Sequence, residues 1–191
     1  MSSKQCVLVI DVDGTIIPVL IDFEKLRSRI REIIGLDHPL KPLAESLSYL
    51  QIGEELKRKA WDLIEIEELE SISKLNLGDV AENIISIKNI VQSRLEVLLV
   101  TMRSMKSTEQ LLTKLGLEGF LGKIITRDKY PSRVLQLKYI REQYENAKII
   151  FIGDTLHDEE AARELKIEFI RVDNYRNLPL ALTRAKSKCD M

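Results

Sequence analysis

Asp11 and Asp13 stand two residues apart in the segment Asp11-Val12-Asp13-Gly14-Thr15. Two carboxylates this close can divide labour. One serves as nucleophile or metal ligand, the other as general acid and base. The run before them, Cys6-Val7-Leu8-Val9-Ile10, is continuously apolar and mostly β-branched, the pattern of a strand buried on both faces. Gly14 permits a sharp turn and Thr15 adds a hydroxyl. Ligands of open α/β sheets bind beyond the carboxyl ends of the strands, so the order of residues puts both acids at a pocket mouth. A calcium loop would continue with further acids at alternate positions, whereas Ile16-Ile17-Pro18-Val19 follows here.

Three more places carry reactive or charged groups next to apolar runs. Leu98-Leu99-Val100-Thr101 ends in a hydroxyl, with Arg103 two residues on. Gly153-Asp154-Thr155-Leu156-His157-Asp158 follows a second apolar run, and Thr155 to Asp158 also has the spacing of a capping box. His157 reads as an exposed neighbour of that segment. Lys129 lies ahead of a helical stretch and 25 residues before Asp154 (154 − 129), with Arg133 and Lys123 as alternative cations.

These residues need a scaffold that brings strand ends together. Apolar runs at residues 7–12, 96–101, 123–126, 148–153 and 168–172 predict five strands, the last four alternating with helical patterns, which makes a parallel sheet. Ser107 to Gln110 has capping-box spacing ahead of Leu111, Leu112 and Leu115, and Gly116 suits a helix C-terminus. Val134, Leu137, Ile140 and Tyr144 mark the next helix, and residues 155–165 a third. Residues 17–92 contain only helical patterns. Phe23, Leu26, Ile30 and Ile34 mark the first, Leu43, Leu47 and Leu50 the second, residues 54–70 the third, and Asp79 to Glu82 opens a fourth. The expected organisation is a discontinuous core domain, 1–16 and 93–191, with a helical cap domain, 17–92, joined by short linkers near 16–21 and 92–95. Inserted directly after the acidic segment, the cap reads as a lid.

Composition narrows the partners. The 191 residues are 45% hydrophobic and 31% charged with a net charge of −1, so a disordered chain is excluded and no basic field attracts nucleic acid or an anionic membrane. No apolar stretch approaches the ~20 residues of a membrane helix. The first strand begins within a few residues of Met1, so the expectation is a chain with no secretory leader. Two cysteines, Cys6 and Cys189, are too few and too far apart for a disulfide framework. Cys6 reads as a small core residue and Cys189 as part of a mobile tail, consistent with a reducing cytoplasm.

The four segments, in this order, resemble the hallmark motifs of the haloacid dehalogenase-like superfamily of Asp-nucleophile phosphohydrolases, with a phosphoglycolate phosphatase-like plan. The resemblance covers the core from Val7 to Val172. It implies an α/β fold, a Rossmann-like parallel five-stranded sheet with an all-helical cap inserted after the first strand. It implies that Asp11 attacks phosphorus to form an aspartyl-phosphate and that Asp13 is the acid and base. Gly14, Thr15, Thr101, Arg103 and Lys129 would bind the substrate phosphate. Asp11, Asp13 through its backbone carbonyl, Asp154 and Asp158 would hold Mg²⁺. The chain departs from the family's frequent Lys-Pro pair, since Tyr130 separates Lys129 from Pro131. The expected function is a cytoplasmic Mg²⁺-dependent phosphatase, monomer or homodimer, acting on a small phosphorylated metabolite. A phosphosugar mutase and a catalytically silent binding protein are the alternatives. Dehalogenation is disfavoured, because the family's dehalogenases lack the acid that Asp13 supplies.

Overall fold

The computed structural model describes residues 5–93, 95–119 and 123–190. Arg94, inside the linker expected at 92–95, lies outside them. The elements run β1 (Cys6–Asp11), α1 (Phe23–Ile34), α2 (Leu43–Tyr49), α3 (Glu54–Lys74), α4 (Ala81–Gln92), β2 (Glu96–Val100), α5 (Met105–Leu115), β3 (Lys123–Ile125), α6 (Arg133–Gln143), β4 (Lys148–Gly153), α7 (Leu156–Glu164), β5 (Glu168–Arg171) and α8 (Leu178–Cys189). All five strands are parallel, in the order β3-β2-β1-β4-β5. This is the Rossmann-like sheet that the apolar runs predict.

The period-2 alternation of β1 divides the core. Leu8 and Ile10 face one side, packed with Ile87 and Ile90 of α4, Leu111 and Leu115 of α5, and Leu178 and Leu182 of α8. Val7 and Val9 face the other, with Leu137 and Ile140 of α6 and Ala161 and Ala162 of α7. A third cluster forms above the sheet from Ile21, Leu26 and Ile30 at α1, Leu47 of α2, and Ala60, Leu63 and Ile64 of α3. Helix α3 runs four residues beyond the stretch its pattern marks. Its last turn and the following loop leave the cap cluster, and Ile72 and Leu75 join the sheet's own core.

Four local readings are corrected. Ser104, not Ser107, caps α5, because its side chain accepts from the Ser107 amide and the helix begins two residues before Ser107. Asp79 does not open α4. A short 3-10 turn, Leu77–Val80, precedes that helix, and Asn76 caps the turn by accepting from the Gly78 amide. The C-terminal residues are no mobile tail, since they form α8, whose apolar stripe packs on the sheet. Helix α8 also ends beside the start of β1, where Cys189 and Cys6 form a disulfide across Cα atoms 5.6 Å apart. Sequence separation hid this pairing because the intervening fold brings the chain's two ends together. Among the described residues no helix is long and apolar enough to cross a membrane.

Candidate active site

The chain leaves β1 toward β2 and β3, then returns past β1 to lay down β4 and β5 on the other side. The reversal opens a crevice between β1 and β4 at their carboxyl ends, where such sheets bind ligands. Asp11 ends β1, and Asp154 follows β4 directly. Between them the turn after Asp11 closes on itself, with the Gly14 amide donating to Ile17 O at 2.7 Å and the Ile16 amide to Val12 O at 2.8 Å. Gly14 adopts a φ of +85°, and a Cβ there would stand 2.1 Å from Asp154 Oδ2. Only glycine lets the turn and the second acid share this space.

Asp158 completes the cluster from the first turn of α7. Its Oδ2 accepts from the Thr155 hydroxyl at 2.6 Å, while its amide donates to Thr155 Oγ1 at 3.1 Å. The capping box is therefore real, and it also fixes Asp158 Oδ1, which lies 2.7 Å from Arg133 Nε. Arg133 opens α6 and reaches Asp11 Oδ1 with its other arm, while donating to Gln136 Oε1 at 2.8 Å. Both carboxylates and the guanidinium are buried. Burial opposes the charge on Arg133, but Asp158 and Asp11 outweigh it and hold its pKa above the ordinary arginine value.

Asp13 is held from the opposite side. Arg103 Nε donates to Asp13 Oδ2 and Nη2 to Oδ1, both at 2.8 Å, a bidentate fork. The same guanidinium donates to Glu68 O at 3.2 Å and Ser71 Oγ at 3.0 Å on α3. The Glu68 carboxylate pairs with Arg127 and accepts from the Ser104 amide at 3.1 Å and the Ser107 hydroxyl at 2.7 Å. Arg127 in turn lies against the Trp61 ring, 5.2 Å from its centroid. A buried polar network thus ties the cap helix to the loops after β2 and β3.

Asp11, Asp154 and Asp158 bring carboxylate oxygens within 4.8 Å of one another. Asp154 Oδ1 is buried with no hydrogen-bond partner among the described residues. Burial first, and then the neighbouring Asp158, push the Asp154 pKa up to about 6. Burial also raises the Asp11 pKa well above its ordinary value, with Arg133 opposing and the three other acids adding to the shift. An orphaned oxygen among crowded carboxylates fits a hard divalent cation with oxygen ligands, which would neutralise them.

The structure gathers Asp11, Asp13, Asp154, Asp158 and Arg103 around one cavity of about 320 Å³ beneath the cap. Other expected residues stand elsewhere. Thr101 is buried behind the wall, its Oγ1 accepting from the Arg103 amide at 3.1 Å. The Gly14 and Thr15 amides are bonded inside the turn and are not free donors. Lys129 is exposed, its Nζ over the rings of Tyr139 and Tyr130 at 4.3 Å and 5.4 Å. The cation beside Asp11 is Arg133, whereas Lys129 was expected to bind the substrate phosphate. Sequence reasoning named Arg133 only as a fallback and missed Glu68. Each breaks an apolar stripe, Arg133 with Leu137 and Ile140 on α6, and Glu68 with Ala60 and Ile64 on α3, which is the signal that could have found them.

A parallel, Rossmann-like α/β core thus carries a helical cap and a carboxylate cluster at its switch point. The chain belongs to the haloacid dehalogenase-like hydrolases, whose family model matches residues 24–172 and so begins after the acidic turn. No curated protein matches the chain. Similar solved structures include a hydrolase from Pseudomonas syringae, with TM-score 0.61 and 16% identity over 95% of this chain and 90% of that one. A haloacid dehalogenase-like family protein from Streptococcus pneumoniae matches with TM-score 0.59 and 16% identity over 95% and 92%. The Protein Tyrosine Kinase A of Mycobacterium tuberculosis matches with TM-score 0.58 and 16% identity over 90% and 84%. At these identities the likeness is one of fold.

Proposed function

We propose that this protein is a Mg²⁺-dependent phosphatase that hydrolyses a small phosphorylated metabolite through an aspartyl-phosphate on Asp11. The observation that carries the reading is the grouping of Asp11 with Asp154 and Asp158, with Asp13 one turn away on the same cavity. Asp11, Asp154, Asp158 and the backbone carbonyl of Asp13 would hold Mg²⁺. When bound, the ion supplies positive charge that lets a carboxylate approach a phosphate dianion.

The chain's own groups supply the rest. Asp11 attacks phosphorus, and the P–O bond to the alcohol breaks as the leaving oxygen takes the proton of Asp13. Asp13, now a carboxylate, removes a proton from water, whose oxygen attacks phosphorus and frees Asp11 and inorganic phosphate. Arg133 steadies the phosphoryl oxygens and holds Asp11 in line. Both oxygens of Asp13 are engaged by Arg103 in the fork, so the pair must open for one of them to face the leaving oxygen. A monomer or homodimer with no nucleic-acid or membrane partner completes the reading, in keeping with the net charge of −1; the Cys6–Cys189 disulfide removes the ground on which a reducing cytoplasm was expected.

Asp11→Asn is expected to abolish Mg²⁺-dependent hydrolysis of an aryl phosphate while circular dichroism shows the fold retained. EDTA is expected to stop the wild type and added Mg²⁺ to restore it. Full Mg²⁺-dependent turnover by Asp11→Asn would overturn the mechanism.

A further inference from the structure

The acidic turn is fastened to the core by a buried amide on α4. Within the turn the Thr15, Ile16 and Ile17 amides all donate to Val12 O, at 3.3, 2.8 and 3.1 Å. These bonds set the turn's shape but not its place on the core. The Ile16 carbonyl leaves the turn and accepts from Asn83 Nδ2 at 2.8 Å. The same nitrogen donates to Tyr175 O at 2.9 Å, just ahead of α8. Asn83 is 2% exposed and Ile16 is fully buried, so water does not compete for these bonds. Both acceptors are carbonyls, and a primary amide supplies one N–H to each. The acidic turn, α4 and the approach to α8 therefore meet on one side chain, across 67 and 92 positions of sequence.

Helices α4 and α8 both pack on the sheet, whereas the chain beyond Ile17 leads away into the cap. Resting on the phosphatase reading, we propose that Asn83 is a positioning residue: it anchors the acidic turn to α4 and α8, and so sets where the Asp13 carbonyl and the Asp11 carboxylate stand for Mg²⁺. It acts through Ile16 and touches neither ion nor substrate. Without Asn83 the buried Ile16 carbonyl loses its donor, and the turn must shift to find another. Asp13 lies three residues away in the same hydrogen-bonded turn, so it moves with that shift. A residue that orients ligands from behind typically contributes about 10–100-fold to metal affinity or activity.

The test uses the full chain and reads Mg²⁺ affinity by calorimetric titration, and kcat and KM separately for an aryl phosphate. Asn83→Leu removes both donors at nearly constant volume. Asn83→Ser, whose hydroxyl is too short to reach both carbonyls, is the second variant should the first not fold. Leu182→Ala on α8 is the comparison, because it loosens the same core cluster and leaves the turn's hydrogen bonds in place. All three are expected to lower Tm in EDTA. Only the Asn83 variants are expected to bind Mg²⁺ about tenfold more weakly and to lose about tenfold or more in kcat, with KM within about twofold. Wild-type Mg²⁺ affinity and kcat in a folded Asn83 variant overturn the inference, as does an equal loss in Leu182→Ala. Failure of both Asn83 variants to fold makes the residue a structural one and overturns it too. A wild type that binds Mg²⁺ but hydrolyses no ester overturns the phosphatase reading, while the Mg²⁺ titration still decides the role of Asn83. A wild type that neither binds Mg²⁺ nor hydrolyses the ester overturns both.

Discussion

Two buried arginines flank the same acidic cluster, and they connect to different parts of the molecule. Arg133 belongs wholly to the core. It rises from the first turn of α6 and spans Asp11 and Asp158, which sit at the ends of β1 and in α7. Arg103 also stands on a core loop, but half of its contacts are with the cap, at Glu68 O and Ser71 Oγ of α3. The acid that would attack is therefore held by the sheet's own framework. The acid that would move protons is held by an arginine that the cap helix also grips. On the proposed reading, cap position would enter the chemistry through Asp13, not through Asp11.

Removing Arg133 breaks the core side and carries the largest expected effect. Arg133→Met leaves Asp11 and Asp158 buried with no cation, a loss of about 3–5 kcal/mol for one partner of a buried pair. At about 2–4 °C per kcal/mol for a chain this size, Tm is expected to fall on the order of 10 °C in EDTA. Calorimetry with and without Mg²⁺ checks it. The ion is expected to raise Tm more in the variant than in the wild type, because it neutralises the same carboxylates. Turnover of an aryl phosphate is expected to drop by about 10²–10³, the usual cost of losing one donor to developing charge. An unchanged Tm in EDTA would mean that the pair adds nothing to stability.

Breaking the cap side affects stability more than chemistry. Glu68→Gln leaves Arg127 buried without its carboxylate, at a cost of about 3 kcal/mol read from urea unfolding. Asp13 keeps its place on the core turn, so kcat is expected to fall by less than about tenfold, well short of the Arg133 effect. Combined with Arg127→Met, the loss is expected to be less than the sum of the single losses, since the first substitution already breaks the pair. A kcat loss as large as that of Arg133→Met would show that the cap's grip on Arg103 governs the acid–base step.

The two sides also differ in how far they can be read from sequence. The strands, the acidic turn and the Thr155–Asp158 box are legible because each is a run of adjacent residues with its own periodicity or spacing. Arg133 and Asp11 are 122 positions apart, and Arg103 and Asp13 are 90 apart, so only the folded sheet shows them paired. Family spacing pointed to Lys129 because it lies 25 residues before Asp154 and ahead of a helix. The loop, however, makes a further turn there, with the Lys129 and Tyr130 amides both donating to Thr126 O. That turn directs Lys129 outward and brings the first residue of α6 against Asp11. The disulfide was hidden for the same reason of distance, since it joins residues 183 positions apart.

The smallest expected effect sharpens this last distinction. Lys129→Ala removes an exposed cation that sits on two tyrosine rings, a contact of about 0.5–1 kcal/mol at exposed sites. Unfolding free energy is expected to change by no more than that, and kcat/KM for an aryl phosphate to stay within about twofold. Arg133→Lys is the companion variant. It keeps one positive charge but has no planar fork to span Asp11 and Asp158 together, so activity is expected to lie between that of the wild type and Arg133→Met. If Lys129→Ala lost activity while Arg133→Met kept it, the phosphate cation would be the loop lysine after all. Arg133 would then be a structural clamp on the two acids, and the core side of the site, like the cap side, would hold its carboxylates without touching the substrate.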